Sequence, residues 1–76
     1  MKIDHSPLLN DFLCFYIETR VDGELRYETV VHYYPEKKYS IQDMCSKKFQ
    51  WFSFEDESKV ESDIKIRVER MIHGVC

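Results

Sequence analysis

Residues 11–34, DFLCFYIETRVDGELRYETVVHYY, decide the fold. Two runs rich in aromatic and β-branched residues, Asp11–Arg20 and Glu24–Tyr34, flank Val21-Asp22-Gly23, and this pattern predicts a β-hairpin over 11–34. Its register can be argued from side-chain chemistry. A two-residue Asp22-Gly23 turn sets Ile17 opposite Glu28 and Leu13 opposite His32, which mixes apolar with polar on each face. A three-residue loop with Gly23 left-handed pairs Leu13 with Val31, Phe15 with Thr29 and Ile17 with Tyr27. The second register collects one apolar face, and a slip of one residue would send every side chain to the wrong side, so it is the expected one. The opposite face then carries Phe12, Cys14 and Tyr16 near Val30, His32 and Tyr34. It is half apolar.

Beyond the hairpin, Pro35-Glu36-Lys37-Lys38 reads as a turn. Residues 39–46 admit a short helix, with Ser40 as N-cap, Asp43 in an imperfect capping box and Tyr39 stapled onto Met44. The Tyr39/Ile41 alternation admits a strand instead. Residues 49–55 read as a third strand, with Phe49 and Trp51 facing one way and Phe52 and Phe54 the other. From Asp56 the period changes: Val60, Ile64, Val68, Met71, Ile72 and Val75 fall on one stripe at helical spacing. Ser58 with Glu61 resembles a capping box, Glu61/Lys65, Asp63/Arg67 and Lys65/Glu69 have i,i+4 spacing, and Gly74 is a stop. A helix over 57–73 is expected. Residues 1–10, interrupted by Pro7, read as an irregular lead-in.

The expectation is therefore one α+β domain spanning 1–76. A small three-stranded antiparallel sheet carries a C-terminal amphipathic helix on one face, with a short helix between strands two and three as an option. All eleven aromatic residues lie between Phe12 and Phe54 and fall on both sheet faces. One helix covers one face, so the surplus on the other predicts a contact surface.

Composition narrows the function. The net charge of −3 weighs against non-specific binding to phosphate backbones. The charge is uneven: residues 1–34 sum to −3, 35–54 to +2 and 55–76 to −2. Three cysteines, Cys14, Cys45 and Cys76, cannot all pair and form no C-x-x-C, which suits reduced thiols in a cytosolic protein. No apolar run approaches membrane-spanning length and no signal peptide is recognisable, so a cytoplasmic location, in the producing or an infected cell, is expected. No metal site is expected, because His5, His32 and His73 and the cysteines lack paired short spacings beyond His73/Cys76. No catalytic residues and no cofactor are expected either: neither Cys14 nor Cys45 sits in a nucleophile motif, and Gly23 and Gly74 are the only glycines.

Two binding constellations remain. The first is a partner-binding surface made of Phe12, Tyr16, Tyr34, Phe49 and Trp51, joined by the acidic Glu55, Asp56, Glu57 and Glu61. It would meet a protein with a basic surface. Inhibitors of host defence carried by phages or plasmids, antitoxins and immunity proteins share this size and charge. The function expected is thus a non-enzymatic protein that binds and inhibits another protein or complex. The second constellation, Lys37, Lys38, Tyr39, Lys47 and Lys48, would stack bases and contact phosphates of a single strand. Self-association as a homodimer, through stacked faces or edge strands, is a third reading.

Overall fold

The computed structural model describes residues 1–6, 9–11, 14–33 and 36–74, the side chains of 9–11 and 14 excepted. The strands are β1 (Ile3–His5), β2 (Leu9–Asp11), β3 (Cys14–Val21), β4 (Glu24–His32), β5 (Lys38–Asp43) and β6 (Phe49–Ser53). A single 3-10 turn, Glu57–Lys59, leads into helix α1 (Val60–Ile72). All strand pairs are antiparallel, in the order β1-β3-β4-β5-β6, with β2 pairing the other end of β3. Because β1 and β2 share one edge of β3, six strands fill five positions.

This corrects the three-stranded expectation in two places. Residues 39–46 do not form a helix. Lys38–Asp43 is a strand paired on both sides, and it buries Tyr39 and Ile41 while Ser40 and Gln42 face the other way. Two flanking ladders and two core side chains outweigh one helix cap. The lead-in is not irregular either, since Ile3 pairs with Val21 and His5 with Thr19, and Leu9–Asp11 pairs with Cys14–Tyr16. His5 is held there by a 2.9 Å contact between its Nδ1 and the Thr19 hydroxyl.

The hairpin register is a further correction. Val21 pairs with Glu24 across a two-residue turn, with Asp22 at φ 52° and Gly23 at φ 86°. Both central residues are left-handed, as the turn that matches strand twist requires. A bulge after Thr19 then skips Arg26, and beyond it Thr19 meets Tyr27, Ile17 meets Thr29 and Phe15 meets Val31. The bulge reconciles the tight turn with a single apolar face.

That face is the core. Ile17, Val31, Ile41 and Tyr39 from the sheet pack with Phe54 and with Val60, Ile64 and Val68 of α1. Of the helical stripe read from the sequence, Val60, Ile64 and Val68 are buried, Met71 and Ile72 are half-buried against the core and Val75 lies outside the described residues, while Ile66, which broke the pattern, is exposed. The N-terminal cap differs in detail. Asp56, not Ser58, is the capping residue, and it caps the 3-10 turn that leads into α1: its carboxylate accepts from the Ser58 N–H (3.0 Å) and from the Ser58 hydroxyl (2.6 Å). Glu61 instead pairs with Lys65 at 3.2 Å. Gly74, at φ 71°, closes the helix with its N–H bonded to the Met71 carbonyl. Among the described residues no helix is long and apolar enough to cross a membrane.

Candidate functional site

The sheet's second face is built from three rows that run across the strands. One row is Tyr16, Val30, Ser40 and Trp51, each the direct cross-strand neighbour of the next. On one side of it run His32, Lys38 and Ser53, and on the other Glu18, Glu28, Gln42 and Phe49. The first row is apolar apart from Ser40, and it ends at the sheet's edge on the largest side chain in the protein.

Trp51 and Phe49 are each 55% exposed although both are large and apolar. The indole nevertheless has a fixed seat. Its ring stacks on His32, two strands away, at a centroid distance of 5.9 Å. Lys38 Nζ lies 4.9 Å from the ring centroid. Ser40, between them, is buried although it points away from the core face, as a small residue beneath the indole must be. The packing orders one face of Trp51 and leaves the rest in solvent. Large, rigid, half-exposed aromatic side chains bind at low entropic cost, which is why they dominate interface energetics.

A second feature lies along the same strand but over the core face. An open groove separates β6 from α1, lined by Gln50, Phe52, Ile66, Arg67 and Arg70 among others. Arg67, an exposed residue of α1, bridges it. The guanidinium carbon lies 3.9 Å from the Phe52 ring centroid, and Nε donates to the Tyr39 hydroxyl at 2.9 Å.

The residues singled out from the sequence divide clearly. Tyr16, Phe49 and Trp51 share the outer face. Phe12 and Tyr34 lie outside the described residues. Glu55, Asp56 and Glu57 sit in the turn after β6, and two of the three have internal partners. Asp56 caps the 3-10 turn before α1, and its carboxyl is held below the usual range by the Ser58 hydroxyl first and by the Ser58 backbone N–H second. Glu57 lies 3.6 Å from Lys37. With Glu61 bonded to Lys65, much of this acidic segment is engaged in the fold's own electrostatics.

The lysine–aromatic set is not gathered at one place. Tyr39 is buried in the core at 2% exposure, so it cannot stack a base. Lys37 and Lys38 adjoin the far end of β6, whereas Lys47 and Lys48 belong to the β5–β6 turn, about 17 Å away along the strand. In that turn Asp43 Oδ1 accepts from the Cys45 N–H at 2.8 Å, and Lys47 takes a left-handed φ of 64°. Among the described residues no three His, Cys, Asp or Glu side chains cluster in a way that could hold a metal ion.

Sequence reasoning missed Val30, His32 and Ser40 as the bed beneath Trp51. The missing signal was the strand at 38–43, which lies between β4 and β6 and aligns Trp51 with Ser40 and Val30. No protein-family model matches this chain, and no curated protein or solved structure matches it.

Proposed function

We propose that this protein is a non-enzymatic binding module that occupies another protein through the outer face of its sheet and thereby inhibits it. One observation carries the reading: the row Tyr16-Val30-Ser40-Trp51 ends on the edge strand in Trp51, which is half-exposed together with Phe49 two residues away on the same face. A protein of this size ordinarily uses such side chains to build its core, and keeping them in solvent costs stability unless something covers them. The indole's fixed seat on His32 and Lys38 preorganises the surface, which lowers the entropic cost of binding. The net charge of −3 supports a protein with a basic surface as the partner rather than nucleic acid.

The test is capture from lysate by tagged protein, with and without nuclease, comparing the native chain with a Tyr16→Ser/Trp51→Ser variant of unchanged circular dichroism. A single partner retained after nuclease by the native chain and lost by the variant is expected. Capture that survives both substitutions would reject this face, and capture lost to nuclease would transfer the reading to single-stranded nucleic acid.

A further inference from the structure

We infer that the open edge of β6 is a self-association surface, on which a second copy of this chain adds its own β6 antiparallel about a two-fold axis at Trp51.

The hydrogen-bond parity of the strand carries the first step. The Phe54 N–H donates to the Lys37 carbonyl at 3.1 Å, and the Asp43 N–H donates to the Lys48 carbonyl at 2.9 Å. Backbone groups alternate between the two sides of a strand, so even-numbered residues from 48 to 54 bond inward to β5. Phe49, Trp51 and Ser53 therefore aim their N–H and C=O groups outward. Among the described residues no strand pairs with that edge.

The edge is also unguarded. Phe49-Gln50-Trp51-Phe52-Ser53 contains no charge, no proline and no glycine. Proteins that must stay single shield their edges with short strands, charges, proline or bulges. The opposite edge of this sheet does so: β1 and β2 are three residues each, and Lys2 and Asp4 stand along it.

The occupant follows from self-complementarity. With Trp51 opposite Trp51 of the second copy, Phe49 falls opposite Ser53, and every outward backbone group meets its reciprocal partner. Outer face continues into outer face. Above the core face α1 lies over the middle of the sheet, reaching Phe52 of β6 through Arg67 and His5 of β1 through Glu69, whose carboxylate is 3.7 Å from the His5 ring nitrogen. The helices of the two copies therefore stand too far apart to pack on one another, and the joined β6 strands alone carry the contact.

This inference deepens the partner-binding reading, because it sets two Trp51 surfaces side by side, and it can fail separately from it. The experiment is sedimentation equilibrium of the full chain with reductant over a roughly hundredfold concentration range. The native protein is expected to pass from monomer to dimer. Ser53→Pro removes an outward donor while leaving the inward ladder whole, and it should raise the dimer dissociation constant by roughly a hundredfold or more with the far-ultraviolet spectrum unchanged. A native chain monomeric at every concentration overturns the inference, even if it still captures a heterologous partner. A dimer indifferent to Ser53→Pro overturns the proposed edge.

Discussion

Arg67 shows how one charged residue can serve the packing of this small domain. Its stem and guanidinium cover Phe52, and its Nε satisfies the only polar atom of a tyrosine that is otherwise in the core. Truncation to alanine leaves the Tyr39 hydroxyl without its donor and uncovers an aromatic ring. A loss of about 1–3 kcal/mol in urea unfolding is expected for Arg67→Ala. Lysine at 67 should recover little, because an ammonium neither stacks nor donates in the same plane. Tyr27 makes a different kind of test. Burial first, and the Asp43 carboxylate second, push its phenol above the ordinary value. The folded state therefore holds the proton more tightly than the unfolded chain. Stability from this group is complete below the unfolded pKa of about 10 and is lost as pH rises through the folded value. Urea midpoints measured from pH 8 upward should decline beyond about pH 10, and Tyr27→Phe should flatten that decline. An unchanged slope in the variant would assign the alkaline loss to other groups, of which Tyr33, also raised by burial, is the first candidate.

Elements differed in how well their residues announced them. The helix was legible because Val60, Ile64 and Val68 repeat at a period that only a helix satisfies, and all three are buried. Ile64→Ala should cost about 2–5 kcal/mol, as for other fully buried aliphatic side chains, read by thermal or urea unfolding. The hairpin was legible as a hairpin, and its face composition came out correctly, but its pairing did not. The bulge at Arg26 leaves no mark in Glu24-Leu25-Arg26-Tyr27, so a two-residue turn looked incompatible with one apolar face. The turn itself can be tested: Gly23→Ala places a Cβ at φ 86° in open space, so strain alone should cost about 1–2 kcal/mol. Residues 39–46 offered a helix cap and a strand alternation together, and only tertiary pairing with β4 and β6 decides between them. The strand at Ile3–His5 was hidden for the same reason, since three residues carry too little pattern to show a period.

At the scale of the whole molecule, adding two positions to the expected sheet changes what the surplus aromatic residues mean. In a three-stranded sheet the strand of Phe49 and Trp51 would border the hairpin directly, with no strand between. In the observed sheet they lie on the outermost strand, where one set of side chains and one set of backbone groups are open together. The candidate site was legible only in part: alternation sets Phe49 and Trp51 on one face and Phe52 and Phe54 on the other, whereas which pair meets the core, and the bed of Val30, Ser40 and His32, required the strand order. The acidic segment and the lysines were legible as charges but not as partners of one another, because Lys37 with Glu57 and Lys65 with Glu61 close within the fold. The most direct measurement of the central claim, that the outer face at β6 is the surface by which this protein engages a partner, is the nuclease-treated capture experiment with Phe49→Ser/Trp51→Ser against the native chain. Loss of the captured protein, with the unfolding transition of the variant still cooperative, is the expected result. Equal capture by both chains would contradict the account.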